Sequence, residues 1–246
     1  MIYDCVSQSR CAVKGLLFQR VEVPFRQRSS QPGSYSNGYS RIRRNEVEGG
    51  RVSRDNYLTK IQKQVNLQSY SASSGYLGFM QRNGRFSRSL CEQATDLLFD
   101  ALDQYLPESP CVCSLFVVGD DAHLREEYEL DDYELDEYIH PLISKGIVHR
   151  KTHLDDCVPY LDGEKLSVHE GLTKTTMRRV VIGVMAVGGL RGHCFFIAEK
   201  HGLIYYPHDD TGFGFISMFE DPYHREQSRE FVRKQFTAEG FDLCLV

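Results

Sequence analysis

The chain contains no tryptophan, and only eight prolines and five methionines among its 246 residues. It has no apolar run near the roughly 18 uncharged residues that a membrane-spanning helix needs. Its first residues, MIYDCVSQSRCAVKGLLFQRVEV, lack the basic start and long apolar core of a secretory leader. A Gly-rich phosphate loop, a dinucleotide fingerprint and a Gly-x-Ser-x-Gly elbow are also missing, which removes the motif-bearing nucleotide and hydrolase classes. Eight cysteines are present, and only Cys111 and Cys113 lie close together. On a strand that spacing puts both thiols on one face, whereas a zinc knuckle wants paired close spacings. The thiols therefore read as buried and free, as expected of a cytoplasmic protein.

What is present is unevenly distributed. Residues 1–90 hold 15 Lys and Arg against 5 Asp and Glu, while residues 91–246 hold 14 against 29. A basic segment thus precedes an acidic domain. Residues 26–56 are rich in Arg, Ser, Gly and Asn and have almost no large aliphatics, so they are expected to be disordered. Nucleic acid enters the reading only through this arginine-rich arm. Residues 1–88 as a whole read as a poorly structured basic segment, and residues 89–246 as one globular domain.

Within that domain, Leu90, Ala94, Leu97, Leu98, Ala101, Leu102 and Tyr105 recur at helical spacing, with a Ser89/Glu92 capping box and Pro107 as a stop. Cys111–Val118 reads as a central strand covered on both faces. Val180–Val187, His193–Ala198, Leu203–Tyr206 and Phe213–Ile216 are short, β-branched or aromatic runs punctuated by Gly, which predicts consecutive antiparallel strands. Residues 146–178 read as irregular. Asp221-Pro222 starts a C-terminal helix over 221–238, and Phe241–Val246 suits a final strand. The fold class is α+β, an antiparallel sheet flanked by helices.

Three groupings carry candidate chemistry. Pro207-His208-Asp209-Asp210-Thr211-Gly212 is the densest polar cluster in an apolar region. His208, Asp209 and Asp210 are the candidate catalytic residues of a metal-dependent hydrolase, with His193, His208, Asp209 and Asp210 as candidate metal ligands and His201 nearby. The same residues are also good hairpin-turn chemistry. Cys194 is a candidate nucleophile only if His169 or His208 reaches it, because its neighbour His193 points to the other face. His149, His153, Asp155 and Asp156 have ligand-type side chains without an anchored spacing.

Residues 119–141 hold ten carboxylates between Asp120 and Glu137 against one Arg. Leu135, Tyr138, Ile139 and Leu142 thread a helical stripe through them. Glu126, Glu127, Asp131, Asp132, Glu134, Asp136 and Glu137 form the candidate partner-binding surface, suited to a basic protein. The opposing reading is a solvated helix face.

The block Leu203-Ile204-Tyr205-Tyr206-Pro207-His208-Asp209-Asp210-Thr211-Gly212-Phe213 resembles a small uncharacterised bacterial domain family. That family has a strand entering a Tyr/His-x-Tyr-Asp-Asp-Arg-Gly turn and a C-terminal helix. Thr211 stands where the family has Arg. The layout is also similar to acidic immunity-type proteins, which neutralise a toxin by binding it. The resemblance implies a bacterial, cytoplasmic, non-enzymatic interaction module with no cofactor. It supplies no catalytic residues.

Overall fold

The computed structural model describes residues 54–82, 86–102, 109–208, 211–237 and 240–246. The disorder expected over 26–56, except its last three residues, and the arginine-rich arm lie outside the described residues.

The fold is α+β. Its strands are β1 (Tyr76–Arg82), β2 (Cys111–Val118), β3 (Val148–Lys151), β4 (Ser167–His169), β5 (Arg191–Ala198), β6 (Leu203–His208), β7 (Gly212–Ser217) and β8 (Phe241–Leu245). They form one sheet in the order β3-β2-β5-β6-β7-β1-β8, with β4 paired to the first half of β2. Every pairing is antiparallel except β2 with β3, so the sheet is mixed rather than purely antiparallel. The helices are α1 (Arg54–Gln64), α2 (Arg88–Leu102), α3 (Asp121–Tyr128), α4 (Asp132–Glu134), α5 (His140–Ser144), α6 (Val158–Leu161), α7 (Lys174–Ala186) and α8 (Pro222–Gln235). A π turn over Leu135–Ile139 joins α4 to α5.

All eight residues of β2 are buried, as a near-continuous apolar run requires. Alternation divides them between two layers. Cys111, Cys113, Leu115 and Val117 share one cluster with Cys194 and Phe196 of β5, Phe213 and Phe215 of β7, and the apolar stripes of α2, α7 and α8. The opposite face carries Phe116 and Val118, packed on Tyr160 of α6 and on Cys157. It also carries His193 and Phe195, whose rings pack with Tyr70. Close strand approach is secured by glycine. A Cβ at Gly192 (φ +113°) would fall 2.0 Å from the Ser114 carbonyl oxygen, and one at Gly212 would fall 1.9 Å from that of Met80.

Three expectations are corrected. Val180–Val187 is not a strand but most of the last two turns of α7. The Thr173 side chain caps this helix by accepting from the Thr176 amide, and burial at Thr176, Met177, Val180, Val181 and Met185 follows helical spacing. The globular fold also begins well before Ser89. β1 lies inside the sheet, between β7 and β8, and Tyr57 and Ile61 of α1 and Val65 just beyond it are buried. The segment over 146–178, expected to be irregular, contributes β3, α6 and β4. The helices expected over 89–106 and 221–238 are α2 and α8, the latter capped by Asp221 accepting from the His224 amide.

His193 ties the far layer together. Its Nε2–H donates to the Leu161 carbonyl (2.6 Å), which leaves Nδ1 to accept from the Tyr70 hydroxyl (2.5 Å). The ring is 3 % exposed. Burial holds its pKa below the usual imidazole value of 6.5, against smaller opposing effects of the Leu161 carbonyl and Asp162. The folded state therefore prefers the neutral ring. That preference contributes stability above the unfolded pKa and is lost as pH falls from 6.5 toward the lower folded value. Between about pH 7.5 and about pH 5, unfolding free energy is expected to drop more steeply in the native chain than in His193→Gln, by at most about 1.4 kcal/mol per pH unit for one proton. Equal slopes in denaturant titrations would contradict this. Tyr70→Phe leaves a buried ring nitrogen without its donor and is expected to cost about 1–3 kcal/mol.

The thiols are core atoms. Cys91, Cys111, Cys113, Cys157 and Cys194 are buried and Cys244 is exposed. Burial pushes the Cys91, Cys157 and Cys194 thiols up, away from the reactive thiolate. Brief alkylation of the native protein, mapped by mass spectrometry, is expected to mark Cys244 among these six and the other five only on unfolding. Modification of Cys194 as fast as that of Cys244 would show that this layer opens.

Candidate functional site

The turn after β6 was the first sequence candidate. His208 ends β6 opposite Gly212 of β7 and is 7 % exposed, with its ring edge toward Phe79 at 6.2 Å between centroids. Thr211 holds φ +58°, a left-handed conformation that a β-branched residue adopts only under strain. Asp209 and Asp210 lie outside the described residues. His193 cannot lend a nitrogen here, because Tyr70 and Leu161 occupy both of its ring positions. His201 sits at the other end of β6, stacked on Phe231 at 3.8 Å. Among the described residues no three His, Cys, Asp or Glu side chains are placed to hold one metal ion.

Cys194 does not meet a histidine. Its Sγ lies 3.9 Å from that of Cys111 in the α2–α7 layer. His169 hydrogen-bonds the Ser167 hydroxyl (3.0 Å). His208 is on β6, and no described contact joins it to Cys194.

The carboxylates of 120–137 sort into two groups. One group holds the helices in place. Asp120 caps α3 by accepting from the His123 amide. Asp131 and Glu134 form a reciprocal capping box on α4. Asp121 accepts from Arg150 (2.6 Å) and meets His140 (3.0 Å), and these two partners hold its carboxyl below the usual range against the opposing effect of burial. Glu134 pairs with Arg88 of α2, and Glu137 accepts twice from Arg179 of α7, at 3.1 Å each. The second group faces outward. Glu126, Glu127, Glu129, Asp131, Asp132 and Asp136 are exposed, with Arg125 reaching Asp132 (2.8 Å) and His140 reaching Asp136 (3.1 Å). Among them stands Tyr133, 54 % exposed and edge-on to the buried Tyr138. Of the seven sequence candidates, Glu126, Glu127, Asp131, Asp132 and Asp136 are therefore on the outside, while Glu134 and Glu137 are half-buried staples.

A further feature is only partly signalled in the sequence. The end of β3, the 3₁₀ turn Leu154–Cys157 and α6 border a solvent-open cavity of about 540 Å³ lined by Arg150, Lys151, Asp155, Asp156, Tyr160 and Lys165. Asp155 and Asp156 were picked out in the sequence alongside His149 and His153, but the cationic partners were not. Lys151 Nζ stands 4.3 Å from the centre of the Tyr160 ring. His149 packs on the same ring at 5.5 Å, and burial, with the Lys151 charge, holds its pKa down.

No described helix is long and apolar enough to cross a membrane. Comparison with known proteins returned no match among family models, curated proteins or solved structures.

Proposed function

We propose that the chain is a non-enzymatic binding module whose α3–α5 segment meets a basic protein surface. The observation that supports this reading most is the exposed Tyr133 among outward carboxylates on a segment stapled to its own core by Arg88, Arg150 and Arg179. An aromatic anchor with a charged rim is how binding surfaces concentrate affinity, and the unspent charges steer a partner of opposite sign. The staples matter because a surface already ordered costs less entropy to dock. The similarity to acidic immunity-type proteins fits the same reading, with a toxin as the class of partner and the bacterial cytoplasm as the setting.

The reading as a metal-dependent hydrolase at His208, Asp209 and Asp210 has less support. His193 and His201, which would complete that ligand set, are engaged elsewhere.

Glu126→Gln, Glu127→Gln and Glu129→Gln together remove outward charge without touching a staple or a capping side chain, since Glu129, the left-handed C-cap of α3, caps through its backbone amide. Immobilised native protein is expected to retain a basic protein at low salt and lose it as salt screens the exposed charges. The triple variant, folding normally, is expected to retain it about tenfold less, and Tyr133→Ala to weaken it at all salt concentrations by about 1–2 kcal/mol. Equal recovery by native and triple-variant protein at every salt concentration would reject the acidic surface as the binding site.

A further inference from the structure

The cavity beside β3 has an arrangement of charge that differs from the rest of the surface. Elsewhere, opposite charges brought together are paired: Arg88 with Glu134, Arg125 with Asp132, Arg179 with Glu137. Arg150, at the cavity edge, is likewise spent on the Gly119 carbonyl (2.8 Å) and Asp121 (2.6 Å). Yet Lys151 and Lys165 line the same cavity as Asp155 and Asp156, and among the described residues none of these four side chains makes an ion pair. Both signs of charge share one concavity, and no ion pair joins them there.

The backbone accounts for the arrangement. Lys151 is fixed at the end of β3, its ammonium over the Tyr160 ring. The Lys165 amide donates to the Pro159 carbonyl (3.1 Å), closing the turn after α6. Asp155 and Asp156 ride on the 3₁₀ turn, whose Asp156 amide donates to the His153 carbonyl (3.2 Å). Beneath them Cys157 is buried and feels both the Lys151 and the Asp156 charge. The same turn leaves two aliphatic side chains in water, Leu154 at 60 % and Val158 at 51 % exposure. Exposed aliphatics beside a two-signed cavity favour an organic ligand over a bare ion. The volume lies within the range of small-molecule sites.

The geometry points to a binding site for a short zwitterionic peptide, its carboxylate received by Lys151 and Lys165 and its ammonium by Asp155 and Asp156. Two or three residues span roughly 7–10 Å when extended, a length that fits a concavity of this volume. This site is separate from the α3–α5 segment, and neither reading depends on the other.

Triglycine serves as the probe, with N-acetyl-triglycine, triglycine amide and inorganic phosphate as comparisons, added to the full-length isotope-labelled protein and followed by amide NMR shifts. Triglycine at millimolar concentration is expected to move resonances between Arg150 and Lys165. Blocking either end is expected to weaken binding about tenfold, the loss of one charged hydrogen-bonded end. Asp155→Asn with Asp156→Asn should abolish the difference between triglycine and its acetylated form while keeping the penalty for amidation. Lys151→Gln with Lys165→Gln should do the converse. The four positions are half-buried or exposed, so folding is expected to persist, and unchanged spectra away from the cavity verify it. Absence of shifts there, equal binding of the capped peptides, or phosphate binding as tight as triglycine would each overturn the proposal.

Discussion

The fold depends on a sheet whose central strands are apolar on both sides. Every residue of β2 is buried, and β5 is buried from His193 onward. Such strands gain roughly 25 cal/mol per Å² of apolar surface only when both faces are covered, so neither layer is optional. One cover is made by α2, α7 and α8. The other is made by α1, Tyr70 and α6, drawn from the first described elements and from the middle of the chain. This explains why residues N-terminal to Ser89 belong to the fold. Without α1 and the Tyr70 turn, Phe195, Tyr206 and the neutral His193 would stand in water on an apolar surface.

The same constraint explains how the carboxylate-rich segment is used. α3 to α5 must press Leu124, Leu135, Tyr138, Ile139 and Leu142 onto the α2–α7 layer. Ten carboxylates would repel each other there, at a few tenths of a kcal/mol per close helical pair. Arginines from α2, α7 and β3 answer the carboxylates that face inward. Each such half-exposed pair contributes about 0–1 kcal/mol. Their larger effect is geometric, because bidentate Arg179–Glu137 fixes the π turn against α7. The carboxylates left over are those on the water side.

Much of this was legible in the sequence. β2, β5, β6 and β7 follow from short apolar runs separated by Gly, and α2 and α8 from periodicity plus caps. The stripe Leu135, Tyr138, Ile139 and Leu142 is buried as the spacing demands, even through a π turn. Val180–Val187 was misread because a run of β-branched residues is ambiguous between a strand and a buried helix. The arbitrating signal lay upstream, where Thr173 caps and Thr176 and Met177 begin the stripe. β1 went unseen because Gly78 interrupts the alternation, and because its partners, β7 and β8, lie well over a hundred residues away in sequence.

Sites were less legible than strands, for a physical reason. Residue types that suit catalysis also satisfy a core. His193 reads as a ligand in isolation, but two buried partners, Tyr70 and the Leu161 carbonyl, claim both its nitrogens. Cys194 reads as a nucleophile, but it fills apolar space beside Cys111. What distinguishes a site from a satisfied core is chemistry left unspent, and that is a property of pairing rather than of composition. Among the described residues most arginines and inward carboxylates are matched. Unmatched charges include those on the outer side of α3–α5 and in the cavity between β3 and α6. Both lie away from the doubly covered strands, where neither cover has to neutralise a charge in order to pack.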